Sequence, residues 1–510
     1  MSETNKRSVA VIGAGVAGLV TAKVLKHDGF DITIFEKEST IGGVWAESRA
    51  YPGLRTNNPR ETYVFSDFPH PEDTDDFPTA GQVRRYLNNY AEHFGLKPHL
   101  HLSTEVVSVL RKKSKNDGSH PGFQVQVKPA GESSITETHD FDYVVICNGV
   151  FSEPYTPQFD GQDQFAGKIL HSSQLTDPET IKGKCVVVVG AGKSALDCAT
   201  FAAQQAASAT LVFRKPHWMI PRYFGKTRVD KVLFNRFSIL FFPPYHRAKK
   251  PEKIIRTVAT PFFWVWRTAV DKVIKRLSGM PDTMIPEVPL NAGLENNGIG
   301  AEFYQILKDG QVEIRRTRIM SYSGADKIQL ESGEELDADV VIFATGWQQN
   351  VTFLDEDLRN SIRKDGWFRL YRHILPPQER HLGFVGYASS GNAPLTSEIS
   401  AHWLSQFFRG ELSLPDELAM ELEIDKVQQW TQKVFPRRNE GYFIGAYIGN
   451  YIDELMQDMG LPKWRTGNLF TEYWGPFWAT RYRDVTKERE EMRERTVQKS
   501  NLQLQTTIHE

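Results

Sequence analysis

Apolar residues in this chain come in short unbroken blocks rather than long stretches. Ser8–Ile12, Asp31–Glu36, Phe141–Gly149, Lys184–Gly190, Thr210–Arg214 and Ala338–Thr345 each hold a block the length of a buried strand. Helically spaced apolar positions follow the first block, over Leu19–Lys26, and the fourth, to about Ala207. Strand, helix and strand in that order predict βαβ units on parallel sheets. Thr79–Phe94 predicts an amphipathic helix. Leu100–Leu110 and Phe123–Lys128 predict hairpin strands around the turn Asn116-Asp117-Gly118. The strand-like run Val312–Met320 precedes a second hairpin around Gly324. Gly42–Asp67 is rich in Gly, Pro, Asn and aromatics and predicts a loop lining a site.

The turns that follow two of these blocks carry chemistry. Gly13-Ala-Gly15-Val-Ala-Gly18 lies behind Ser8–Ile12, and Glu36 stands 18 residues beyond Gly18. In such a loop Gly13 permits the tight turn, Gly15 lets a pyrophosphate reach the backbone, and Gly18 allows close helix–strand packing. Gly190-Ala-Gly192-Lys193-Ser194-Ala195 lies behind Val186–Val189, with Arg214 and Lys215 in the place that Glu36 holds in the first unit. An acid there accepts hydrogen bonds from an unmodified ribose, and a base suits a 2′-phosphate. The pair predicts a flavoprotein with a nicotinamide reductant: Glu36 and the first glycines hold FAD, and Gly190, Gly192, Lys193, Ser194 and Arg214 hold NADPH.

The fold class expected is α/β, with two Rossmann-like dinucleotide-binding domains and the NADPH domain inserted in the FAD domain. The boundaries expected are 1–153 for the first part of the FAD domain, 154–335 for the NADPH domain and 336–465 for the second part of the FAD domain. A charged tail takes 466–510, read as a solvated helix with a frayed end. Pro154-Tyr-Thr-Pro157 reads as the linker, and Ala338–Thr345 is placed back in the first domain. The insertion 217–290 is basic and aromatic, with Phe237–Phe242, Arg247–Lys250 and Phe262-Phe263-Trp264-Val265-Trp266. It reads either as a lid over a substrate path or as a peripheral membrane patch.

Length and charge sharpen this. A chain of 510 residues calls for two or three domains. A net charge of −2 argues against nucleic acid as a partner. Cys147, Cys185 and Cys198 are the only cysteines and none form a CxxC pair, which removes the disulfide reductases and fits a reducing compartment. Electrons from the flavin then go to oxygen or an external partner. No secretory signal is visible at the start, no block reaches the length of a spanning helix, and no metal site is expected. A cytoplasmic location is expected.

Several further segments resemble the flavin-containing monooxygenase family over most of 8–410. They are Gly42-Gly43-Val44-Trp45, Tyr51 to Pro69 with Thr56-Asn57, Phe165-Ala-Gly167-Lys-Ile-Leu-His171, Phe343-Ala-Thr-Gly346-Trp347 and Arg372-His-Ile-Leu-Pro-Pro. The family's FxGxxxHxxx pattern ends in an aromatic residue, where this chain has Leu175.

The resemblance implies that NADPH reduces FAD and that the reduced flavin takes up O2 as a C4a-hydroperoxide, passing one oxygen atom to nitrogen or sulfur of a small lipophilic substrate. It implies that Gly43, Val44, Trp45, Thr56, Asn57 and Val107 join the cofactor-binding set, with Thr345 and Gly346 near the isoalloxazine end. Asn57 matches the asparagine that in relatives sits beside flavin and nicotinamide, and it is the candidate catalytic residue. His171 takes a structural or coupling role between domains.

Gly43-Val-Trp45 and Tyr51-Pro52-Gly53 also echo the Baeyer–Villiger monooxygenases, which have an acid where this chain has Asn57. Carbonyl oxygenation, including that of a 2-keto acid, is the alternative. A flavin electron-transfer module feeding a partner protein is a further one.

Overall fold

The computed structural model describes residues 6–112, 121–134, 137–240, 242–248, 260–290, 298–435 and 443–509. Two parallel sheets organise it. In the first, β1 (Ser8–Ile12) lies between β2 (Asp31–Phe35) and β7 (Tyr143–Ile146), in parallel register with both. β3 (Leu100–His101) extends the β2 edge. Val9, Ala10 and Val11 have no exposed surface, because helices and an antiparallel meander cover the two faces. The helix α1 (Val16–His27) follows β1 directly. The meander is β4 (Thr104–Arg111), β5 (Phe123–Pro129) and β6 (Glu137–Phe141). The expected turn at Asn116-Asp117-Gly118 falls between β4 and β5 in the sequence and lies outside the described residues. The amphipathic helix expected over Thr79–Phe94 forms as α2 (Ala80–His93), with Thr79 and Gln82 closing a reciprocal capping box.

In the second sheet β10 (Cys185–Val189) runs parallel to β11 (Ser208–Phe213), and α3 (Lys193–Gln205) joins the two. β12 (Glu313–Arg316) extends the β11 edge. A hairpin of β13 (Ile319–Tyr322) and β14 (Lys327–Leu330) turns at Gly324 as expected.

The next strand corrects the sequence reading. β15 (Val340–Phe343), the core of Ala338–Thr345, pairs with β10 and with β9 (Lys168–His171) in the second sheet. Its four side chains are all buried, so it needs cover on both faces, and the slot between β9 and β10 supplies it. The second sheet therefore continues past residue 335. The chain crosses back along a ribbon in which β16 (Trp347–Gln348) pairs with β8 (Glu153–Pro154), at the expected linker. The strand that returns to the first sheet is β17 (Leu382–Phe384), beside β7.

After β17 comes α4 (Ala393–Phe408), almost wholly buried against α1, then α5 (Glu417–Val434) and α6 (Ile448–Asp458). The final helix α7 (Val485–His509) is not solvated throughout, which corrects the expectation of a solvated tail. Arg489, buried within the charged run, forms an ion pair with Asp28 at 2.6 Å and contacts His402 at 2.9 Å. A buried guanidinium needs such partners.

Part of the insertion 217–290 straps the second unit to the end of the chain. Arg236 pairs with Asp453 at 2.7 Å and Glu472 at 3.0 Å, Phe237 stacks on Trp474, and Tyr447 donates to the Pro243 carbonyl. Lys249, Lys250 and the side chains of Phe262, Phe263, Trp264 and Trp266 lie outside the described residues.

Candidate cofactor and oxygenation site

The first glycine loop leaves the end of β1 and starts α1. Gly18 is dictated by space, since a Cβ there would lie 1.8 Å from the Gly13 carbonyl oxygen. Gly15 faces Gly43 closely enough that a Cβ on Gly43 would stand 3.2 Å from the Gly15 Cα. Gly15 is the N-cap of α1, no side chain caps it, and no acid occupies the first turn. Its free N–H groups and dipole are set to receive a phosphate.

Glu36, at the end of β2, is buried and accepts hydrogen bonds from Ala14 N at 2.7 Å and Glu38 N at 3.0 Å. Burial raises its pKa while those N–H groups oppose the rise. Val107 sits at the bulge of β4 between Val106 and Ser108, on the strand whose first residue, Thr104, donates to the Glu36 carbonyl. Val44 is half-buried and packs on the core beneath. Trp45 is buried and donates from Nε1 to the Tyr63 hydroxyl at 2.7 Å. Thr56 is buried and donates to the Asn58 carbonyl, so it shapes the loop, whereas Asn57 between them is exposed.

The second glycine loop repeats the arrangement. Gly192 is the N-cap of α3, again with no side-chain cap and no acid in the first turn. Lys193 forms an ion pair with Asp197 one turn on, and Ser194 Oγ lies 3.3 Å from the Tyr51 hydroxyl. Arg214 and Lys215 are exposed at the end of β11, and neither has a partner among the described residues.

Thr345 and Gly346 fall on the ribbon between the sheets. Thr345 Oγ1 donates to the Tyr155 carbonyl, and the Gly346 carbonyl accepts from Tyr155 N at 3.0 Å and His171 Nε2 at 3.1 Å. Ser173 N donates to His171 Nδ1, so the imidazole is the neutral Nε2–H form, and burial lowers its pKa accordingly. Trp347 rests on the same histidine and under Arg49, 4.8 Å from each. The structure thus assembles Thr345, Gly346, Trp347 and His171 at the ribbon between the sheets. Leu175, at the position of the family's aromatic residue, is fully buried in the second core.

Two residues escaped the sequence reading. Asn392, the N-cap of α4, is 1 % exposed, and neither its Oδ1 nor its Nδ2 has a hydrogen-bond partner among the described residues. Beside it a Cβ on Gly391 would stand 3.4 Å from Asn58 Oδ1, which ties the start of α4 to the Asn57 loop. Gln349 Nε2, just past the ribbon, is likewise buried and without a partner among the described residues. Buried amides cost free energy unless something pairs with them. Asn392 before Ala-Pro carried only the signal of a helix start. The open α1 terminus, the Gly15–Gly43 cradle, Glu36 and the unpaired Asn392 together fit a flavin dinucleotide.

A family model described as FMO-like, flavin-binding monooxygenase-like, matches residues 6–465. The chain belongs to that family. Among curated relatives it is 29 % identical to a probable flavin-containing monooxygenase 1 of Arabidopsis thaliana, covering 95 % of this chain and 97 % of that one. It is 28 % identical to an N-oxide-forming dimethylaniline monooxygenase 2 of Oryctolagus cuniculus, over 94 % of this family member and 89 % of the rabbit protein. Among solved structures, the S-allyl-L-cysteine S-oxygenase of Allium sativum has a TM-score of 0.59 at 24 % identity, covering 95 % and 93 % of the two chains. The NADP+-bound cyclohexanone monooxygenase of Rhodococcus sp. Phi1 has a TM-score of 0.69 at 19 % identity, covering 89 % and 97 %. These two share its fold. No helix among the described residues of this flavin-binding monooxygenase-like protein is long and apolar enough to cross a membrane.

Proposed function

We propose that this protein is an FAD- and NADPH-dependent monooxygenase that places one oxygen atom of O2 on nitrogen or sulfur of a small lipophilic substrate. FAD, reduced by NADPH, supplies the oxygen chemistry. The chain's residues bind, orient and shield it. In this reading the FAD domain is the sheet built on β1 and β17, and the NADPH domain is the sheet built on β10 and β15. Gly13, Gly15, Gly18, Glu36, Gly43, Val44, Trp45, Thr56, Asn57 and Val107 would hold FAD, with Thr345 and Gly346 toward its isoalloxazine end and the Asn392 amide offered to it. Gly190, Gly192, Lys193 and Ser194 would hold NADPH, with Arg214 available to its 2′-phosphate.

The carrying observation is the pair of uncapped helix starts on two sheets of one chain, one strand ending in buried Glu36 and the other in exposed Arg214, which has no partner among the described residues. Asn57 favours nitrogen or sulfur over a carbonyl carbon. A neutral amide both donates and accepts, and does not impose the proton state that an acid would. The N-oxide-forming activity of the Oryctolagus cuniculus relative supports the same choice. Product analysis with a tertiary amine, a thioether and a cyclic ketone tests it. Conversion of the ketone alone would instead place the protein with the carbonyl oxygenases.

For 217–290 we infer a cytoplasmic protein whose insertion helps to form a peripheral membrane contact. Phe237 of the insertion stacks on Trp474, beside exposed Leu469, Phe470, Tyr473 and Trp478. Aromatic clusters of that kind suit a lipid headgroup region. Co-sedimentation with phosphatidylcholine–phosphatidylserine vesicles, lost in Phe470→Ser/Trp474→Ser, tests it. Retained sedimentation in that variant would contradict it.

A further inference from the structure

Tyr51 belongs by sequence to the loop of the first unit, yet its ring lies in the core of the second, among residues such as Leu175, Ala195 and Cys198. Its hydroxyl donates to Asp197 Oδ2 at 3.0 Å and lies 3.3 Å from Ser194 Oγ. Asp197 is one turn into α3 and also forms an ion pair with Lys193. The helix that opens the second glycine loop therefore carries its own carboxylate close to its start. That is unfavourable where a phosphate must arrive, because the two anions repel and the site is partly buried.

Lys193 can neutralise either the carboxylate or an incoming phosphate. Only a second donor on Asp197 lets the lysine leave without stranding a half-buried charge. Tyr51 is that donor, and burial holds its phenol well above the ordinary pKa, so it keeps its proton.

We infer that Tyr51 is a positioning residue for the nicotinamide cofactor: its hydroxyl holds Asp197 so that Lys193 is released to the cofactor's phosphate. This rests on the reading of the second glycine loop as the NADPH site. It has a consequence for the first unit. Tyr51 lies six residues before Asn57 in one loop. That loop is pinned by Leu54 N on the Tyr51 carbonyl, Ala80 N on the Leu54 carbonyl and Thr56 N on the Pro78 carbonyl. A cofactor that engages α3 through this relay thereby fixes the segment carrying Asn57.

The test uses the FAD-loaded protein and NADP+ as the probe. NADP+ affinity is measured calorimetrically for the wild type, Tyr51→Phe, Asp197→Asn and the double variant, each checked for an unchanged melting profile. Tyr51→Phe, which keeps the ring, is expected to weaken NADP+ binding about tenfold. Asp197→Asn is expected to tighten it. In the Asp197→Asn background Tyr51→Phe is expected to have little effect, because the carboxylate it serves is gone. The change that saturating NADP+ makes in the visible flavin spectrum is expected to shrink in Tyr51→Phe alone. An equal loss in both backgrounds, or no loss in either, would overturn the inference while leaving the reading of the second loop intact. A wild-type protein that fails to bind NADP+ would instead overturn the reading of the second loop.

Discussion

His171 Nε2 donates to the carbonyl of Gly346 at 3.1 Å, across the ribbon that joins the two sheets. The imidazole is buried, neutral and packed against Trp347, so it works as a rivet between β9 and β16. His171→Ala removes that donor and leaves a gap. A loss of about 1–3 kcal/mol in unfolding free energy is expected in denaturant titration. A variant as stable as the parent would show that the ribbon holds without it.

Arg214 is exposed at the end of β11 and has no acidic partner among the described residues. Arg214→Ala should leave NADH turnover unchanged and weaken NADPH by about 1.5–3 kcal/mol, the worth of a hydrogen bond to a charged group. The ratio of kcat/KM for the two reductants reads this directly. An unaltered ratio would place the 2′-phosphate elsewhere.

Asn57 lies exposed between buried Thr56 and Asn58. If Asn57 serves the flavin as proposed, Asn57→Leu removes an amide donor and acceptor, keeps NADPH-driven flavin reduction and diverts turnover into hydrogen peroxide. Peroxide release and product yield are measured together. Undiminished product yield would reduce Asn57 to loop packing.

Glu454 is buried beside Arg372, His246 and Arg247, and burial lifts its pKa to about 7. Its folded pKa exceeds the unfolded value, so the native state binds the extra proton. The stability this contributes is complete below the ordinary glutamate range and is lost as the pH rises through about 7. Glu454→Gln removes the titration. Relative to the parent, the variant should gain about 1–3 kcal/mol between pH 5 and pH 8. A difference that stays constant with pH would refute the assignment.

The βαβ units and both glycine loops were legible because strand length, turn glycines and helical spacing are local properties. The destination of β15 was not. Val340–Phe343 is a buried apolar block that suits either sheet, while the strand that does return, Leu382-Gly383-Phe384, is too short to announce itself. Gly383 is there because a Cβ would meet Leu404 of α4 at 2.4 Å, a contact invisible in the sequence. Arg489 was hidden for a related reason. In a run of charges one buried member looks like the rest, and its partner Asp28 is 461 residues away. Asn392 and Tyr51 were readable as a helix cap and a loop aromatic, but not as an unpaired amide and a bridge between units.

The most direct test of the central claim is turnover under 18O2 with NADPH and a thioether, using the purified yellow protein. The account predicts a sulfoxide carrying one labelled oxygen, with NADPH consumed in step with product. A colourless protein that cannot be reconstituted with FAD, or a product whose oxygen comes from water, would contradict it.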